Sequence, residues 1–174
     1  MERMNFTCCF TGHRVIPVGH IERLYRELDR VLDILIRSGV SDFRVGGALG
    51  FDTLAALCVL DKRRELPHLR LELCIPCADQ ADGWSDSDRQ TYEYIKSQAD
   101  KVTVLSPKYT AGCMHRRNRY MVDGSNYCVA YCTTGKGGSA YTVGYAKRKG
   151  VKVVDLALYM KKENGDSDGE NIYF

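Results

Sequence analysis

Three glycine-rich turns and the charged residues beside them hold this sequence's capacity for chemistry. Gly12-His13-Arg14 follows the apolar run Phe6 to Thr11. Gly46-Gly47-Ala48-Leu49-Gly50-Phe51-Asp52 follows Phe43 to Val45, and Gly135-Lys136-Gly137-Gly138-Ser139 follows Tyr127 to Cys132. Each stands between a strand-like run and a helix-like segment. Glycine lets backbone approach an anion closely, and a following helix offers unpaired N–H groups and a positive dipole end. Two such turns facing one crevice suit a phosphorylated ligand, most simply a nucleotide. Neither later turn has the G-x-G-x-x-G fingerprint. Gly135-Lys136 is not a P-loop either: Ala130 stands at its first glycine position and Gly137 where a magnesium-binding Ser or Thr belongs.

The neighbouring polar residues carry two readings each. Asp52 falls in the first turn of its helix, where a carboxylate complements the dipole or caps free N–H groups; it is equally placed to bond ribose hydroxyls or a base amine. Arg14, Arg117 and Arg119 lie near loop ends, where a planar guanidinium grips phosphate. His13 either titrates near neutrality or binds turn backbone. Trp84, the one tryptophan, either covers the core or stacks on a base. Cys74-x-x-Cys77 and Cys128-x-x-x-Cys132 have metal-like spacing, but their cysteines sit in or at the end of apolar strands, so core packing is the reading taken and no metal or cofactor is expected.

These turns are positioned by an alternation of short apolar runs and helical periods. Strands are expected at Phe6 to Thr11, Phe43 to Val45, Leu69 to Ile75, Lys101 to Leu105, Tyr127 to Cys132 and Val151 to Asp155. Between them Ile21, Leu24, Tyr25, Leu28, Val31, Leu32 and Leu35 follow helical spacing, and further helices fit Phe51 to Leu66, Ser87 to Gln98, Met114 to Val122 and Ser139 to Lys149. Continuous rather than alternating strands indicate a parallel sheet covered on both faces. The expected fold is α/β: a single-domain, doubly wound, mostly parallel Rossmann-like sheet over residues 1–160, with a flexible polar tail over 161–174. The tail's Glu-Asn-Ile-Tyr-Phe ending is close to a protease-tag remnant, though the isoleucine speaks against one.

A chain of 174 residues buries a core of its own without disulfides or metals. Lys and Arg number 25 against 22 Asp and Glu; a net charge of +3 gives no general case for a nucleic-acid or membrane partner. The first residues have no apolar h-region and no run has transmembrane length. With eight cysteines mostly inside apolar segments, the expectation is a reduced, cytoplasmic protein.

Taken in order, Thr11-Gly12-His13-Arg14, Gly46 to Asp52, Arg117-Asn118-x-Tyr120-Met121-Val122-Asp123 and Gly137 to Val143 resemble the YpsA-like branch of the SMF/DprA–LOG (SLOG) superfamily, and Gln80 and Trp84 resemble its loop residues. The similarity runs from about Phe6 to Val154. It implies a Rossmann-like domain that binds a nucleotide or a nucleotide-derived, ADP-ribose-like ligand. It also implies two other relatives' activities: LOG-type cleavage of the N-glycosidic bond of nucleoside 5′-monophosphates, and DprA-type binding of single-stranded DNA. LOG's M-x-x-R-K is met by Met114, His115, Arg116 and Arg117, but Asn118 replaces the lysine. Gly138 and Ser139 fit the last glycine and the threonine of P-G-G-x-G-T-x-x-E, while Thr142 stands in place of the catalytic glutamate. Glycoside cleavage needs a carboxylate, so Asp52 or Asp123 would have to act instead.

The resulting expectation is a sensor or regulatory module for a small nucleotide-type ligand. Its candidate binding residues are Gly12, His13, Arg14, Gly46, Gly47, Gly50, Asp52, Gln80, Trp84, Arg117, Asn118, Gly135, Gly137, Gly138, Ser139 and Thr142. The alternative is a nucleotide N-glycosidic hydrolase using Asp52 and Arg117, and a second alternative is a single-strand binder. The basic clusters His115-Arg116-Arg117 with Arg119, and Lys147-Arg148-Lys149 with Lys152, are the features on which the last would rest. Helices on the outer faces leave room for a homo-oligomer.

Overall fold

Six strands run parallel in one sheet. The computed structural model describes residues 5–161; the tail read from Lys161 onward lies, apart from Lys161, outside the described residues. The strands are β1 (Phe6–Gly12), β2 (Val40–Val45), β3 (Arg70–Ile75), β4 (Lys101–Val104), β5 (Tyr127–Tyr131) and β6 (Lys152–Asp155). Their spatial order is β4-β3-β2-β1-β5-β6. The chain therefore winds outward from β1 to β4, then returns to the other side of β1. That reversal, between β1 and β5, is the topological switch point at which open α/β sheets bind ligands.

The helices are α1 (Ile21–Arg37), α2 (Phe51–Glu65), α3 (Asp86–Gln98), α4 (Cys113–Asp123), α5 (Gly138–Arg148) and α6 (Leu156–Met160). The period read in α1 is realised: Leu24, Leu28, Val31, Leu32 and Leu35 are fully buried. Side chains of β1 alternate between two cores. Cys8 and Phe10 join the larger one with residues of α1, α2, α3 and α6. Cys9 joins a smaller one with Cys74, Met121, Val122, Cys128 and Ala146, where α4 and α5 cover the sheet. All eight cysteines are free thiols, seven buried and Cys132 half-buried. No helix among the described residues is long and apolar enough to cross a membrane.

Two elements differ from expectation. β2 begins at Val40 rather than Phe43, because Ser41 and Asp42 enter the ladder half-buried and break the apolar run. α6 was not expected; five residues are too few to show a period, and Asp155 starts the helix by accepting the Ala157 N–H at 3.0 Å.

Candidate functional site

A cavity of about 300 Å³ opens at the carboxyl ends of β1 and β5, at the switch point. Phe10 to Arg14 continue β1 into it. Ala48 and Asp52 come from the turn into α2 and its first residues, and Lys136 to Ser139 from the turn into α5. From α4 come Met114, Arg117, Asn118 and Met121, spaced i, i+3, i+4 and i+7, one face of the helix turned to the cavity.

Asp52 and Arg117 are both buried and meet at Gly46. A methyl group on Gly46 would stand 2.5 Å from Arg117 Nη1 and 2.8 Å from Asp52 Oδ2, so any side chain there would push the two apart. Arg117 donates through Nη1 to the carbonyls of Gly46 and, at 3.4 Å, Cys74, and through Nε to Asn118 Oδ1 at 2.8 Å. Burial lowers the guanidinium's proton affinity, and the nearby Asp52 charge opposes that. Burial likewise pushes the Asp52 carboxyl above its ordinary range, against the pull of Arg117, the Ala48 N–H at 3.1 Å and Arg14. Each thus feels the other as its main opposite charge, which makes the two buried side chains interdependent.

The glycine turns differ in kind. Gly50 has φ +76°, and a Cβ there would lie 2.3 Å from the Arg14 carbonyl oxygen. The Phe51 N–H at the start of α2 donates to the His13 carbonyl at 3.0 Å. Backbone of the β1 loop therefore occupies the place an anion would need at α2, and Gly47 is packed between Leu73 and Gln80. The turn into α5 is open. Gly137, at φ +91°, begins the helix with no side-chain cap, and a Cβ on Gly135, Gly137 or Gly138 would meet nothing within 4 Å. The first-turn N–H groups of α5 are thus carried by residues lining the cavity, beside Lys136.

The remaining expected residues fall into place around these two features. His13 binds backbone: its Nε2 accepts the Thr133 N–H at 2.7 Å, tying the β1 loop to the β5 loop. Arg14 is exposed and reaches Met114 Sδ at 3.9 Å. Gln80 Nε2 donates to the Gly47 carbonyl at 2.9 Å, and Trp84 stands edge-on to Tyr92 against the larger core; neither lines the cavity. Gly12 lines it with its α-carbon against the Phe51 ring. Thr142 is fully buried, its hydroxyl donating to the Gly138 carbonyl at 2.8 Å. Sequence reasoning missed Lys136, Met114 and Met121; the α4 spacing was the signal for the methionines. Among the described residues no group of three or more His, Cys, Asp or Glu is placed to hold a metal ion.

The model of the YspA SLOG family matches residues 9–159, which includes every residue lining this cavity. The chain belongs to the YspA SLOG family. Relatives of this SLOG chain include UPF0398 proteins of Bacillus thuringiensis (strain Al Hakam) and Bacillus cereus (strain Q1), each 32% identical over 150 residues, 80% of this chain and 82% of theirs. Among solved structures the SLOG domain is similar to DNA processing protein A (DprA) from Streptococcus pneumoniae, with a TM-score of 0.62, 15% identity and 86% of this chain covered. It is also similar to DNA processing protein A from Helicobacter pylori, described for its single-stranded DNA binding mode, with a TM-score of 0.60, 17% identity and 85% covered. The SLOG chain spans 49% and 63% of those two proteins, and the likeness is one of fold.

Proposed function

We propose that this SLOG domain is a nucleotide-binding sensor or regulatory module, its ligand a nucleotide or an ADP-ribose-like derivative. The observation that carries the reading is the uncapped start of α5, opening on the switch-point cavity. A phosphate there receives backbone N–H bonds, the helix dipole and the charges of Lys136 and Arg14. Asp52 offers its carboxylate to sugar hydroxyls in the same cavity. Arg117, already bonded to two carbonyls and to Asn118, serves by fixing Asp52 rather than by gripping phosphate. Gln80 holds the Gly47 turn from behind.

The test is a thermal-shift screen with AMP, ADP, NAD and ADP-ribose, followed by chromatography of the hits. A ligand at a hundredfold its Kd adds about 2.7 kcal/mol, which for a domain of this size raises Tm by roughly 5–10 °C. No shift with any of the four contradicts the proposal. Released free base, lost in Asp52→Asn, replaces the sensor with a hydrolase, since Asp52 is the one carboxylate lining the cavity.

A second reading, single-stranded nucleic acid as ligand, is favoured by one observation. α4 and α5 pack together, so the two basic clusters adjoin: His115 lies edge-on to Tyr141 at 4.2 Å, Tyr141 is near-parallel to Tyr145, and Lys149 sits 5.5 Å over the Tyr145 ring. Rings beside cations are what a stacked strand requires. Oligonucleotide retention that falls steeply with salt, and is lost in Tyr145→Ala, would establish it.

A further inference from the structure

Beside the polar cavity lies a second, apolar one that nothing so far uses. It measures about 380 Å³ and is lined chiefly by Val15, Ile16 and Ile21 from the β1–α1 connection and by Leu49 and Leu54 at the start of α2. Its rim is unusually exposed for aliphatic residues, with Val15 at 83% and Ile21 at 39%. Arg14 lines both cavities, so the groove adjoins the candidate site at that residue, across the contact of the β1 loop with Gly50. At the groove's margin stands Asp88, an exposed carboxylate that accepts the Ser85 hydroxyl at 2.8 Å. The groove thus has a guanidinium on the side of the phosphate site, aliphatic walls, and a carboxylate within its lining.

We infer that this groove is the base subsite of the same ligand: a flat, uncharged heteroaromatic ring lies against Val15, Ile16 and Leu49 while the phosphate occupies the start of α5. The inference rests on the proposed phosphate site. Arg14, which lines both cavities, faces the sugar that links base to phosphate. Asp88 favours a ring bearing an exocyclic amine, which donates to it, over one bearing a carbonyl at that position. The chemistry selected is a nucleotide whose base bears an exocyclic amine rather than a bare sugar phosphate. The ring is held there by burial against aliphatic side chains rather than by aromatic partners.

Isothermal titration of AMP and of ribose 5-phosphate against wild type, Val15→Asn and Leu49→Asn tests this. Both substitutions are uncharged, so neither alters the field at the phosphate, and Val15 is exposed enough for its variant to keep the fold. Wild type is expected to bind AMP at least tenfold more tightly than ribose 5-phosphate. The variants should reduce that ratio several-fold, with ribose 5-phosphate binding unchanged. Failure of both compounds to bind wild type overturns the phosphate site and this inference together. Equal affinities, or an AMP preference that survives both substitutions, overturn the base subsite alone. A concentration-dependent dimer abolished by Val15→Asn, with the AMP preference intact, assigns the groove to a second copy of the chain and also overturns it.

Discussion

Removing Asp52 should destabilise the domain through the side chain it leaves behind, Arg117. Asp52 and Arg117 are 6% and 5% exposed, and each is the opposite charge that acts most strongly on the other. Asp52→Ala leaves the Arg117 guanidinium buried without a carboxylate and the Ala48 N–H without its acceptor. Breaking one partner of a buried pair costs about 3–5 kcal/mol, and an orphaned buried N–H about 1–3 kcal/mol. These overlap, since one carboxylate serves both, so the expected loss is roughly 3–6 kcal/mol, a large part of the ~5–15 kcal/mol stability of an ordinary domain. Asp52→Asn keeps an oxygen for Ala48 and should lose clearly less. Arg117→Met, in the Asp52→Asn background, should cost less than in wild type, because the charge that needed Arg117 has gone. Urea unfolding of the four proteins in a double-mutant cycle measures the coupling. Additive effects, or a loss below about 1 kcal/mol for Asp52→Ala, would refute the interdependence.

Other consequences are equally direct. Glu72 is half-buried, which raises its carboxyl, but the Tyr120 and Thr103 hydroxyls and the Arg44 guanidinium at 2.9 Å more than offset this and hold it below its ordinary range. A carboxyl lowered on folding contributes stability that is present above the ordinary carboxylate range and is lost as pH falls through the folded value; Glu72→Gln should therefore flatten the acid limb of a stability–pH profile. Asp52, shifted upward, has the opposite sign and should not contribute to that limb. Gly50→Ala places a Cβ 2.3 Å from a carbonyl at φ +76° and should cost at least about 2 kcal/mol by chemical unfolding. Arg14→Ala should leave the melting temperature of the free domain within a degree or two, since the side chain is exposed, yet weaken AMP about tenfold or more by titration.

Much of this is legible in the sequence. The six apolar runs predicted the parallel sheet because strands covered on both faces need no polar side, and the glycine turns marked where those strands end. Family membership was foreshadowed by the resemblance of the ordered motifs, and the position of the cavity at the reversal of strand order by the strand–turn–helix pattern. What the sequence did not separate was the use of each glycine. Gly46 and Gly50 look like phosphate-binding turns in one dimension, yet both are required by close approach: one to the Asp52–Arg117 pair, the other to the β1 loop. Gly137 and Gly138 have the same residue type and open surroundings. That distinction depends on contacts between segments some 70 residues apart, such as Arg117 to Gly46, which no local spacing encodes. Trp84 is a similar case; its neighbour Tyr92 and the core beneath it settle which of its two surfaces is covered. The α4 stripe, by contrast, was encoded in plain i, i+3, i+4, i+7 spacing, and only Arg117 and Asn118 of its four members were picked out.

The proposed function requires an anionic ligand group to rest on the first turn of α5. Titrating ¹⁵N-labelled protein with AMP and with ADP-ribose and following backbone amide resonances tests it most directly. The amides of Gly138 and Ser139 should move most, with Lys136 and Gly137 beside them. Resonances that stay still throughout, or that move only around His115, Tyr141 and Tyr145, would contradict it.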